Sequence, residues 1–133
     1  MKKVLKVWAS FSVIGFHAWP NAPSEVGYLS VEHRHNFKYC VGVEVTELNR
    51  QIEFHTLKAK AYSFIKAQYT KSIGLVEEDV ARNFSNKSCE MLAVEMAEYL
   101  AVVYEKTPIT VEVSEDGENG AVVELLSTDV KQS

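Results

Sequence analysis

The sequence is poor in cysteine, proline and glycine, and each shortage excludes a class of protein. Its two cysteines, Cys40 and Cys89, cannot frame a secreted disulfide scaffold, and neither belongs to a C-x-x-C metal or redox pair. That usage fits a reducing, cytoplasmic home. Three prolines and six glycines in 133 residues are too few for a collagenous or low-complexity chain. Positive charge is also scarce. Fourteen Lys plus Arg against eighteen Asp plus Glu leave a net charge of −4, so no global field is available to hold a phosphate backbone, and nucleic acid is not an expected partner. No run approaches the roughly 18 consecutive apolar residues of a membrane helix, so no membrane partner is expected either. Met1-Lys2-Lys3 ahead of the apolar stretch Val7 to Trp19 has the look of a signal peptide. Ser10 and Ser12 interrupt the stretch, however, and no small-x-small cleavage site precedes Pro20. What remains, 47% hydrophobic and 24% charged, is the composition of one globular domain over residues 1–133.

Hydrophobic periodicity sets the order of elements. Val7, Ala9, Phe11 and Val13 share one parity within Val4 to His17, and His35, Phe37, Tyr39, Val41, Val43 and Val45 share one parity after His33. Two strands are predicted, separated by a loop around Pro20 and Pro23. Asn49-Arg50 reads as a turn, and Gln51 to Phe54 as a short return to extended chain. Leu57, Ala61, Phe64 and Ile65 then recur at helical spacing between Thr56 and Tyr69. A second helix is expected from Ser88, a suitable N-cap, to Tyr104, with Leu92, Met96, Tyr99, Leu100 and Val103 as its buried stripe. Between the helices, Thr70 to Lys87 has weak periodicity and suits a short helix or a loop. Ile109, Val111 and Val113 alternate after Pro108, and Asn119-Gly120 offers a hairpin turn into Ala121 to Leu126, followed by a polar tail over 127–133. The order predicts an α+β protein: an antiparallel four-stranded sheet with two helices on one face. So short a sheet leaves its edges open, which points to a homo-oligomer.

The chemistry-bearing residues concentrate at strand ends. His33 and His35 are two apart, so on a strand they share a face with backbones about 6–7 Å apart. If the strands pair antiparallel, His17 at the end of the first lies beside the start of the second. Three imidazoles meeting there can bind zinc and leave a fourth position for water or a substrate oxygen. Solvated loop histidines beside a proline turn are the competing reading of the same residues. Glu115 shares parity with Val111 and Val113, which aims it at the apolar face, where a carboxylate needs a donor such as the amino-imino edge of a pterin or guanine. A simple hairpin-end acid in the run Glu115-Asp116-Gly117-Glu118 is the alternative. Cys40 has the opposite parity from the histidines and Cys89 starts a helix, so both read as packing residues.

Taken together, these features resemble the 6-pyruvoyl-tetrahydropterin synthase and 6-carboxytetrahydropterin synthase family. Its first His, three residues before a proline, is matched by His17-Ala18-Trp19-Pro20, and its His-Gly-His pair by His33-Arg34-His35. Its Asp-Phe-x-x-Leu-Lys is similar to Glu53-Phe54-His55-Thr56-Leu57-Lys58, its Thr-x-Glu-x-Leu-Ala helix start to Ser88-Cys89-Glu90-Met91-Leu92-Ala93, and its ring-anchoring Glu to Glu115. The resemblance implies a T-fold that oligomerises into a barrel with sites at subunit interfaces. It implies zinc on His17, His33 and His35, and a small pterin- or guanine-like ligand held by Glu115 and Glu90. Arg34, in place of the family's Gly, is a candidate phosphate contact. The family's proton carriers are matched poorly. Leu29 stands where its Cys precedes the His pair by four residues, and Val80 follows Asp79 where an Asp-His pair is expected. His55 and Asp79 are left as the candidate catalytic groups.

Overall fold

The computed structural model describes residues 1–71 and 81–126. In chain order they form β1 (Leu5–His17), a 3-10 segment (Ser24–Ser30), β2 (His33–Val45), α1 (Phe54–Gln68), β3 (Arg82–Ser85), α2 (Cys89–Val103), β4 (Ile109–Glu115) and β5 (Asn119–Leu125). β1 and β2 pair antiparallel without a slip, from Leu5 opposite Val45 to His17 opposite His33. An unbroken register keeps every odd-numbered side chain of both strands on one face. β4 adds antiparallel to β2 with Glu115 opposite Phe37, and β5 adds antiparallel to β4.

The sheet has one strand more than expected. β3 lies parallel to β1 at the edge, giving the order β3-β1-β2-β4-β5 in place of four antiparallel strands. Packing explains its position. Phe84 of β3 is fully buried against Phe37, ring centroids 4.9 Å apart, in space that Gly15 leaves open; a Cβ on Gly15 would run into both rings. Lys71, the last described residue before 81, forms a bridge to Arg82. Half of the weakly periodic segment, Asp79 included, and the tail 127–133 lie outside the described residues.

Three further boundaries differ from expectation. α1 starts at Phe54, not Thr56, because the Glu53 side chain caps it, accepting from the backbone N–H of His55 at 2.9 Å and of Thr56 at 3.0 Å. Gln51 and Ile52 form a bend in place of an extended stretch, and the Gln51 side chain closes that turn by accepting from the backbone N–H groups of Thr46 and Glu47, each at 2.8 Å. The β4–β5 turn falls at 116–118 and not at Asn119-Gly120. Asp116 and Gly117 take the left-handed φ values of 59° and 73°, and Asn119 already pairs with Glu115.

Leu57, Ala61 and Ile65 of α1 and Leu92, Met96 and Leu100 of α2 form one core with Phe37, Tyr39, Val41, Val43, Val111 and Val113. Each fully buried Leu or Phe contributes about 1.5–3 kcal/mol. Tyr99 and Val103, expected in the α2 stripe, sit at its margin, where Tyr99 stacks on Phe64 at 4.6 Å. The opposite sheet face carries Trp8, Ser10, Lys38 and Glu112 and stays open, with Trp8 61% exposed. No described helix is long and apolar enough to cross a membrane.

Candidate metal centre and ligand groove

The β1–β2 register brings His17 directly opposite His33, and the pleat puts His35 on the same face. Ring centroids are 4.5 Å apart for His17–His33, 4.9 Å for His33–His35 and 5.5 Å for His17–His35. One ligand nitrogen from each residue lies within 4.8 Å of the others. A tetrahedral zinc with bonds of about 2.0–2.1 Å holds its nitrogens about 3.3 Å apart, so small side-chain rotations bring the trio onto an ion.

Each ring is fixed from behind. The Nδ1–H of His17 donates to the Lys87 carbonyl at 2.8 Å, that of His33 to the Val31 carbonyl at 2.9 Å, and that of His35 to Asp116 Oδ2 at 2.8 Å. Hydrogen bonds at Nδ1 select the tautomer whose Nε2 lone pair is free, the form that binds metal. Asp116 is fixed in turn. Its Oδ1 accepts from the Asn36 N–H at 2.9 Å and its own N–H donates to the Asn36 carbonyl at 2.8 Å, which ties the β4–β5 turn to β2. The Asn36 N–H and the His35 ring hold the Asp116 carboxyl below the usual carboxylate range. Burial pushes the His17 pKa below its ordinary value, outweighing the Lys87 carbonyl and Glu115, and keeps the imidazole neutral.

The His17 Nε2 atom is buried with no hydrogen-bond partner, which leaves it available to an ion. Together with three nitrogen donors on braced rings, it makes the site fit zinc. Glu115, expected to face the apolar side, does so, and it also points at the histidines: its oxygens lie 3.1 Å from His17 Nε2 and 3.5 Å from His35 Nε2.

A groove of about 400 Å³ opens beside the trio, lined among others by His17, His33, Lys87, Cys89, Glu90 and Glu115. Glu90 stands exposed in the first turn of α2, whose N-cap is Ser88, with Met91 N–H to Ser88 Oγ at 3.2 Å. Leu29 lines the groove as well, so the position expected to hold a thiol carries an aliphatic side chain at the site itself. Cys89, read from sequence as a packing residue, is buried yet also reaches the groove wall. Burial and then Glu115 push its thiol up to about 12, so it stays protonated.

Two candidates stand apart. His55 is exposed at the start of α1, paired through Nδ1 with Glu53 Oε2 at 2.7 Å, and does not line the groove. Arg34 is exposed and does not line it either, since its even position puts it on the sheet face opposite the histidines. Asp116 and Lys87 were not singled out from the sequence. Asp116 had a weak signal, an Asp before Gly at a turn, which tolerates a left-handed φ; the Lys87 carbonyl had none.

A sheet of this order, with two helices on one face and a histidine-lined groove at one end, defines an α+β protein built around a candidate metal centre. The fold is the T-fold of solved 6-pyruvoyltetrahydropterin synthases. A catalytic-residue mutant of the Plasmodium vivax enzyme aligns over 94% of this chain and 99% of its own, with TM-score 0.64 and 16% identity. The Plasmodium falciparum enzyme gives the same coverage, TM-score 0.64 and 16% identity. An uncharacterised protein of Wolinella succinogenes aligns with TM-score 0.60 and 12% identity, again over 94% of this chain and 99% of that one. No protein-family model matches the sequence, and no curated protein does.

Proposed function

We propose that the chain is a divergent member of the 6-pyruvoyl/6-carboxytetrahydropterin synthase type that holds zinc on His17, His33 and His35 and takes a pterin- or guanine-type ligand in the adjoining groove. The observation that carries this reading is the convergence of three imidazoles, each braced at Nδ1, around an orphaned His17 Nε2. Bound zinc supplies Lewis-acid polarisation of a substrate oxygen. The chain's own residues do the rest. Glu115 and Glu90 accept hydrogen bonds from the amino-imino ring edge, Leu29 and Trp19 supply apolar wall, and Lys87 offers a cation at the rim. The activity suited to such a site is a lyase or isomerase step on dihydroneopterin triphosphate or a related compound.

A second reading, capture of the ligand without chemistry, is favoured by one specific observation. Leu29 cannot carry a proton, and the one thiol on the groove wall, Cys89, is locked in its neutral form. For catalysis the proton carriers are His55 and Asp79, and His55 does not line its own groove, so it serves a site only where a second copy docks beside it. The protein is accordingly proposed as a homo-oligomer with its sites completed at subunit interfaces.

Two measurements test the readings. Protein purified without chelator should contain about one zinc per chain by elemental analysis, and a chain that neither contains nor takes up zinc contradicts both. Incubation with dihydroneopterin triphosphate then separates them, since a new pterin product marks the lyase and unchanged substrate retained by the protein marks capture.

A further inference from the structure

We infer that Glu115 is the fourth metal ligand of the ligand-free protein, and that it must leave the metal when a ring enters the groove. The inference rests on the proposed zinc site and adds to it a donor outside the histidine trio. Each histidine has already given its Nδ1 hydrogen to another acceptor, the Lys87 carbonyl, the Val31 carbonyl or Asp116. The Nε2 atoms of His17 and His35 are the ring nitrogens left to face a metal, and the two oxygens of Glu115 sit 3.1 and 3.5 Å from them. A cation held by those two nitrogens would lie within reach of the same carboxylate. Despite the short separation, His17 Nε2 makes no hydrogen bond.

The backbone supports the same assignment. Glu115 lies opposite Phe37 on β2, one pleat beyond His35, and the paired Asp116–Asn36 bonds hold this end of β4 against the histidine strand. Three nitrogens and one carboxylate oxygen complete a tetrahedral zinc shell, the closed arrangement that leaves no position for a substrate. The carboxylate that closes the shell is the same one proposed to accept the ring's amino-imino hydrogens. Directed at His17 and His35 it cannot also align with a ring edge, so ring entry and opening of the metal become one event.

The test uses Co²⁺ in place of zinc, because its visible bands report coordination directly. The full chain, its Glu115→Gln variant and its His33→Ala variant are titrated with Co²⁺ and, in competition with a chelator, with Zn²⁺. Glu115→Gln is expected to lower affinity at least about tenfold, the lower end of the loss seen when an outer-shell partner is removed, and to shift the Co²⁺ bands. Guanine, a ring without a coordinating side chain, is expected to shift the wild-type bands in the same direction and to leave those of Glu115→Gln unchanged. This wild-type titration needs no variant to fold. Equal affinity and identical spectra for wild type and Glu115→Gln, or guanine binding that leaves the wild-type bands untouched, overturn the inference while the three-histidine site stands. Wild-type protein that binds neither metal, like His33→Ala, contradicts the zinc reading itself.

Discussion

The covered face of the sheet has two ends that follow one register and do opposite things. Toward Val43 and Ile109 the odd-numbered positions of β2 and β4 are aliphatic, fully buried and roofed by the two helices. Toward His33 and Glu115 the same alternation delivers imidazoles and a carboxylate, and the roof gives way to a groove. Phe37 marks the border: it is fully buried, packs on Phe84 at 4.9 Å and touches the edges of the His17 and His35 rings at 5.0 and 5.8 Å. The difference teaches that one register can build both a hydrophobic core and a polar site. Stability and metal binding should therefore separate by position along the strands.

The sharpest separation pairs two substitutions. Leu92→Ala, in the apolar end, is expected to cost about 2–5 kcal/mol in urea unfolding, and to leave zinc stoichiometry at one per folded chain. His33→Ala should do the reverse, abolishing stoichiometric zinc while the metal-free protein stays within about 1 kcal/mol of wild type. A large stability loss from His33→Ala would merge the two ends into one unit. Next in size, Asp116→Ala frees the His35 ring and should weaken zinc binding about 10–100-fold by chelator competition. An unchanged affinity would show that the ring needs no brace.

Smaller effects test the helix ends. Ser88→Ala removes the α2 N-cap beside the groove and should cost about 1 kcal/mol in thermal or urea unfolding. The smallest effect concerns pH. The His55 and Thr56 N–H groups hold Glu53 down to about 2 from its ordinary 4.5, so the folded state binds the ionised form more tightly than the unfolded state does. That contribution is fully present above about 4.5 and is lost as pH falls toward about 2. Glu53→Gln should flatten this part of the melting-temperature profile and leave the profile above pH 5 parallel to that of wild type.

Much of the site was legible because it is carried by short-range pattern. Strand parity in β1 and β2, with a histidine at the end of one and two at the start of the other, was enough to bring the trio together and to aim Glu115 inward. The supports were not legible. The Lys87 carbonyl meets His17 from 70 residues away and Asp116 meets His35 from 81, contacts that only the assembled sheet creates. β3 was missed for a related reason. Four residues with buried Arg82 and Phe84 carry too short an alternation to register as a strand, and their place depends on the hollow at Gly15. The hairpin turn was misplaced by two to three residues because Asn119-Gly120 is the stronger turn dipeptide. Gly120 is instead required inside β5, where a Cβ would strike the Val113 carbonyl.

Crystals of zinc-soaked protein, measured on either side of the zinc absorption edge, test the central claim most directly. The account predicts one anomalous peak per chain, enclosed by the Nε2 atoms of His17, His33 and His35. Zinc absent from that point, with the three rings turned outward to solvent, would contradict it.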